Sequence, residues 1–378
     1  MKLKTVKQKK EKQVASGEVK SRRRFPKKII PIVALCVCAV AVLCAVLPFL
    51  PQKPQQSQPL KYKGVLELWN VESFEGGSGS RSSWLTSRAA KFEAKNKGLF
   101  VHVTNLTEQQ LQEKLNNGET FDIVCFSRGV GAQVSGMLQK YRGSVADVCD
   151  NMLASGQIGD SVYALPIYAG AYCLFARTAQ LPQNVDLLSV ALSATYTRKV
   201  GKNTYDLQPL ICGFTDYNSP MSALALSGGK GKATVNEQVT QYQAYESFVA
   251  NKTAVTLLGT QRDLYRLGQK EELGKIEELT FAPLVGYTDL VQYMGVSAGC
   301  GDKADSAFAF LEYLVSADAQ QTLLNIDMFT VLEDTFYTEK RYADCEKGTK
   351  TAYVPNVFGD PASVQNQRQA ALDTLRMK

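Results

Sequence analysis

Histidine is almost missing from this chain: His102 is the sole one in 378 residues, and it falls at an alternating position of the strand-like stretch LFVHVTNL. Serine–histidine and cysteine–histidine catalysis therefore lack a partner to assemble with. No CxxC pair occurs among the nine cysteines, which argues against a zinc site or a closely spaced disulfide scaffold. A GxxxxGK[ST] loop is absent as well. The nearest string, SGGKGKAT at 227–234, has the wrong spacing and reads as a flexible turn. Ser227 and Lys230 formally match SxxK, but the two glycines between them discourage the helix that would carry the lysine over the serine. Glu72 and Glu75 could mimic a glycosidase pair, yet nothing in their spacing fixes the carboxylate separation such chemistry requires. No internal repeat is evident. These absences leave no catalytic residue, no cofactor and no metal to expect.

Net positive charge is lacking outside the N-terminus. The first 28 residues carry a net +10 and the remainder −3, so the overall +7 belongs to a tail, and no basic patch invites nucleic acid. Residues 29–50, IIPIVALCVCAVAVLCAVLPFL, follow at once and hold no charge. At about 1.5 Å per residue this run is long enough to cross a roughly 30 Å hydrocarbon core. The basic flank places the tail in the cytoplasm and the rest outside.

Three readings compete for the run: a cleaved signal, a lipoprotein signal and an uncleaved anchor. The anchor fits best, because Cys36, Cys38 and Cys44 follow Leu35, Val37 and Leu43 rather than a small residue, and no small-x-small cleavage site follows Leu47. SRRRFPK at 21–27 is similar to a twin-arginine export signal, although Pro26 departs from it. Residues 51–60, PQKPQQSQPL, read as an extended polar spacer. The six cysteines beyond it, Cys125, Cys149, Cys173, Cys212, Cys300 and Cys345, are widely spaced and read as small buried hydrophobes.

From about residue 61 the pattern alternates strand and helix. Residues 65–71 are apolar and β-branched, 82–95 set Trp84, Leu85, Ala89 and Phe92 at helical spacing, and 99–105 form the next strand. Thr107 and Gln110 then make a capping-box pattern ahead of a helix, and FDIVCF at 121–126 is a third strand. Such alternation predicts a largely parallel sheet with helices on both faces and ligand at the carboxyl ends of its strands. Further on, 168–175 reads as one apolar strand, FAPLVGY from 281 as another, and 305–325 as one amphipathic helix.

Four segments in order resemble one family. They are VLELWNVESFEGG with KFEAKN and FDIVCFSRG, then GDSVYALPIYAGAYCLFAR, then SFVANKTAVTLLGTQRDL, and last FAPLVG, YMGVSAGCG and ADSAFAFLEYLVSADAQQTLLNIDMFTVLED. They are similar to the family 1 extracellular solute-binding proteins, the maltose-binding-protein-like group, over residues 61–340. The resemblance implies an α/β fold of the two-lobe type 2 periplasmic-binding kind, here preceded by one transmembrane helix. One lobe is then expected from 61–166 and 284–330, the other from 167–283 and 331–378, closing by a hinge on a solute. A small polar solute, sugars or oligosaccharides first, and an ABC permease and ATPase would be its partners. The alternative is a tethered sensory or envelope-interaction protein that keeps the binding fold without transport. The folded part is expected outside a single-pass anchor.

Candidate ligand contacts follow from loop position and from that resemblance. The loop after the first strand supplies Glu72, Ser73, Phe74 and Glu75 ahead of a helix N-terminus, with Ser80 or Ser82 as a mere cap the plainer reading. Ser127 and Arg128 follow the third strand, where a surface salt bridge is the plainer role for Arg128. Tyr168 flanks the crossing, and Phe214, Asp216 and Tyr217 in GFTDYNSP suit stacking on a sugar face beside a carboxylate. Gln261 and Arg262 resemble the family's ligand-facing turn, although sugar binders often carry tryptophan there. Tyr287 and Tyr293 lie around the return crossing.

Overall fold

The computed structural model describes residues 60–376 apart from 146, 201, 216, 232–234 and 251–253. The basic tail, the apolar run at 29–50 and the spacer to residue 59 lie outside the described residues, as does the candidate Asp216. Among the described residues no helix is long and apolar enough to cross a membrane.

The alternation seen in the sequence becomes β1 (Gly64–Val71), α1 (Arg81–Lys95), β2 (Leu99–Leu106), α2 (Glu108–Asn116) and β3 (Ile123–Phe126). Side-chain caps set the helix starts. Ser80 accepts from the amide of Ser83 at 3.1 Å to open α1, and Thr107 and Gln110 exchange the two bonds of a capping box to open α2. After α3 (Asp150–Ser155) come β4 (Leu165–Ala169) and β5 (Tyr172–Arg177), then the hairpin β6 (Tyr196–Val200) and β7 (Asn203–Cys212). Helices α4 (Pro220–Leu226) and α5 (Gln241–Val249) lead to β8 (Ala254–Thr260), α6 (Gln261–Glu272), β9 (Leu279–Leu284) and β10 (Val291–Val296). The chain ends with α7 (Ala304–Leu314), α8 (Ala317–Gln320), α9 (Lys340–Thr351) and α10 (Pro361–Arg376).

These strands form two five-stranded sheets, ordered β2-β1-β3-β10-β4 and β9-β5-β8-β7-β6. In the first, β1 pairs in parallel with β2 and β3, while β10 runs antiparallel to both β3 and β4. Each sheet carries helices against it, giving two α/β lobes. Trp84 of α1 meets Tyr168 edge-on at 5.9 Å, and Phe92 meets Phe310 of α7 at 5.2 Å. Each such ring contributes roughly 1.5–3 kcal/mol by leaving water.

The chain passes between the sheets at two adjacent places. The apolar run 168–175, expected as one strand, is two strands in different sheets, because Gly170 and Ala171 interrupt β4 and β5. Residues 285–290 make the return from β9 to β10, and the Gly170 amide donates to the Leu290 carbonyl at 2.6 Å, tying the two crossings together. The helix expected over 305–325 also breaks. Ser316, with extended backbone, separates α7 from α8, and a 3₁₀ turn follows from Gln321 to Ile326. Gln320 is the reason: fully buried, it donates to the carbonyls of Ile167 and Leu314 at 2.8 Å and accepts from Thr330 and Val331. A straight helix would not deliver one side chain to all four partners.

Candidate functional site

Asn70 and Asn105 stand opposite each other at the carboxyl ends of the parallel strands β1 and β2, and the Asn70 amide donates to Asn105 Oδ1 at 2.8 Å. They line a cavity of about 360 Å³ with Glu72, Ser82, Thr107, Glu108 and Gln110. Loops at this end of a parallel sheet are where α/β folds gather ligands. Glu72 is held by Arg81 at 2.9 Å and by Ser82 at 3.1 Å. Arg81 also donates to the Phe74 carbonyl and lies over the Phe74 ring, so its charge is committed within the wall. Glu108, the first residue of α2, accepts from Gln133 at 3.0 Å and from the Tyr217 hydroxyl of the second lobe. The wall is thus rich in amides, hydroxyls and carboxylates. It can both donate to and accept from a polyhydroxylated molecule.

On its other side the seam between lobes is closed by direct contact. Gln261, at the start of α6, donates to the Glu75 carbonyl at 2.6 Å and accepts from the Ala171 amide at 3.1 Å. Arg262 reaches the carbonyls of Gly77 and Ser78, and Arg266 pairs with Glu75 at 2.6 Å. Glu75, Gln261 and Arg262, expected as ligand contacts, are here engaged with protein partners across the seam. Gly129 lies directly under the Tyr217 ring, in a left-handed conformation at φ +94°, so any side chain there would strain the backbone and strike the ring.

The glycine loop serves packing too. Ser78 donates to the Ile326 carbonyl at 3.1 Å, and a Cβ on Gly77 would run into the carbonyl oxygens of Ile326 and Asp327. Gly77→Ala should therefore cost about 1–3 kcal/mol, read as a lower denaturation midpoint; an unchanged midpoint would show that the loop yields freely.

The remaining candidates divide between a buried network and the core. Arg128 is 5% exposed rather than on the surface, and its guanidinium donates to the Tyr287 hydroxyl at 3.1 Å and lies 3.8 Å from Asp289. Asp289 also accepts from Tyr172 at 2.7 Å, from Tyr287 at 2.8 Å and from the Ser219 amide at 2.6 Å. Burial, with the neighbouring Asp289 second, holds the Tyr172 and Tyr287 phenols well above their ordinary range. Ser73 and Ser127 share a hydroxyl contact at the ends of β1 and β3. Phe74 and Tyr168 are buried against each other at 6.5 Å. Phe214 is buried beneath Arg368, and Tyr293 donates to the Met152 carbonyl at 2.9 Å inside the first lobe. Of the fourteen candidates, Glu72 lines the cavity and Tyr217 closes on its rim. Asn70, Ser82, Asn105, Thr107, Glu108 and Gln110 were not expected there. Asn70 and Asn105 each lie one residue before the end of their strand, and only the parallel register sets them side by side.

A family model of bacterial extracellular solute-binding proteins matches residues 76–321. No curated protein sequence matches the chain. Among solved structures, the fold is similar to the GacH receptor of Streptomyces glaucescens GLA.O, determined unliganded and with acarbose and an acarbose homolog. That match has 15% identity and a TM-score of 0.55, covering 83% of this chain and 94% of that one. It is also similar to an ABC substrate-binding protein from Listeria monocytogenes in complex with cycloalternan, at 10% identity and a TM-score of 0.52, covering 84% of this chain and 100% of that one. At such identities the likeness establishes the periplasmic-binding-like fold. The family and both neighbours are binding proteins rather than enzymes.

Proposed function

Because the chain belongs to the bacterial extracellular solute-binding protein family, we propose that it captures a neutral carbohydrate, oligosaccharides first, between its lobes and presents it to an ABC permease and ATPase. The polar cavity at the ends of β1 and β2 carries this reading. Sugar hydroxyls donate and accept alike, which suits three amides, two carboxylates and the Thr107 and Ser82 hydroxyls. An anionic solute would meet Glu72 and Glu108 with Arg81 already engaged. The acarbose and cycloalternan of the two structural neighbours are carbohydrates and point the same way. The lobes that close on the solute are read as 61–166 with 284–330, and 167–283 with 331–378.

A thermal-shift series on the full chain with neutral oligosaccharides, amino sugars, uronates, polyamines and oxyanions tests this. A ligand at about 100 times its Kd should add roughly 2.7 kcal/mol of stability. Asn105→Ala should weaken such binding about tenfold, as the loss of one hydrogen bond worth about 1.4 kcal/mol, with the unliganded Tm unchanged. Unaltered affinity would remove Asn105 from the site. If only uronates or oxyanions bind, the neutral-carbohydrate reading fails; if nothing binds, the tethered sensor takes its place.

Residues 29–50 are read as an uncleaved single-pass anchor with its N-terminus cytoplasmic and the folded part outside, supported by the unbroken apolar length and the +10 flank. Full-mass protein should then pellet with membranes. A shortened, secreted form would refute it.

A further inference from the structure

The loop that carries Tyr217 is tied down on both sides. Arg368 of α10 donates to the carbonyls of Thr215 and Asn218, its Nε reaching Asn218 at 2.8 Å. The Ser219 amide donates to Asp289 at 2.6 Å, and the Phe214 amide to the Val239 carbonyl at 2.8 Å. So held, the loop presents Tyr217 to the first lobe as a fixed projection. Its ring lies on Gly129, where no side chain keeps it away, and its hydroxyl donates to Glu108 Oε1.

Glu108 faces two ways. Every residue lining the polar cavity belongs to the first lobe, and of these Glu108 is bonded to the second. Its Oε1 takes both the Tyr217 hydroxyl and, at 3.0 Å, the amide of Gln133 from the short helix Gly131–Val134. Its Oε2 has no hydrogen bond to protein among the described residues. A carboxylate accepts at both oxygens, so a solute hydroxyl can donate to Oε2 without displacing Tyr217.

We propose that Tyr217 is a positioning residue for solute binding, which acts through its hydroxyl by locking the second lobe onto Glu108. This rests on the cavity at the ends of β1 and β2 being the solute site. A solute donor on Oε2 fixes the carboxylate as an acceptor for Tyr217, and Tyr217 in turn holds the carboxylate for the solute. Such coupling is reciprocal. On the other side of the seam Gln261, Arg262 and Arg266 keep their contacts with residues 75–78 when Tyr217 lets go, so the lock governs the cavity side alone. Stacking on a sugar needs only the ring, whereas the lock needs the hydroxyl. Tyr217→Phe separates the two.

The test uses the full chain in detergent, with spin labels on non-canonical residues at Gln112 of α2 and Glu237, both exposed. Without solute, Tyr217→Phe should lengthen and broaden the label separation; Glu108→Ala should do the same, and the two together no more. Maltotriose should narrow the separation in the native chain. It should leave Tyr217→Phe about tenfold faster, the loss of one hydrogen bond, with its association rate unchanged. A separation that ignores Tyr217→Phe overturns the proposal, as does a response to it that persists in full in Glu108→Ala protein. Unchanged maltotriose release from Tyr217→Phe overturns it too, since the ring would then suffice. If maltotriose fails to bind the native chain while the labels respond as expected, the lock stands and the neutral-carbohydrate reading fails.

Discussion

Asp289→Ala should lower folding stability by about 3–5 kcal/mol, the expected cost of removing one partner from a buried charged pair. The carboxylate sits on the return crossing between the sheets and is 3% exposed. Its removal strips an acceptor from the Tyr172 and Tyr287 hydroxyls and from the Ser219 amide, all within 2.8 Å, and leaves Arg128 buried without its counter-charge. Arg128 Nε already has no hydrogen-bond partner, so the guanidinium has little left to compensate with. Asp289→Asn should cost less, because the amide oxygen still accepts from a tyrosine or from Ser219 while the charge is lost. Denaturant unfolding of both variants checks the order. If alanine cost under about 1 kcal/mol, the cluster would not be what ties the crossing together.

The network also shows where sequence reading reaches and stops. Helix caps and strand alternation were legible because each is written locally: Thr107 with Gln110, the alternation at Leu99–Leu106. Gln320 was not, since the break between α7 and α8 answers to Ile167 and Thr330, which are distant or follow later in the chain. The single strand expected at 168–175 failed for a related reason. Apolar character continues through Gly170 and Ala171, but the sheet to which each half belongs is decided by partners, β10 for one and β8 and β9 for the other.

Candidate ligand residues divided along the same line. Of the loops at the carboxyl ends of strands, one sets Glu72 in the cavity wall and another brings Tyr217 to Glu108. Aromatic residues near crossings were a poorer guide, because Tyr168 and Tyr293 spend their rings on the core. Arg128, Gln261 and Arg262 carry the polar chemistry of a binding site, yet that chemistry is occupied by protein partners in the closed seam. Asn70 and Asn105 were invisible for a simpler reason. Each is an ordinary residue near the end of its strand until the parallel register of β1 and β2 places the two side by side.

Asp263 makes the seam sensitive to pH. It caps α6, accepting from the Thr260 amide at 3.0 Å, and lies 3.5 Å from Arg266, which in turn pairs with Glu75 across the lobes. Burial pushes its carboxyl up from 3.8 to about 7, against the opposing pull of Arg266 and the Thr260 amide. A carboxyl raised in this way binds its proton more tightly folded than unfolded. Its contribution to stability is therefore fully present below pH 3.8 and is lost as pH climbs through about 7. The gap between those values corresponds to roughly 4 kcal/mol. Asp263→Asn keeps an oxygen for the Thr260 amide and cannot ionise, so it should melt higher than the native chain at pH 8, by a margin that shrinks as pH falls and closes only below about pH 3.8. Melting curves across that interval decide the matter: a variant whose Tm falls with pH as steeply as the native chain would place the titration elsewhere. A flattened curve would locate it at Asp263, beside the arginine that links α6 to Glu75.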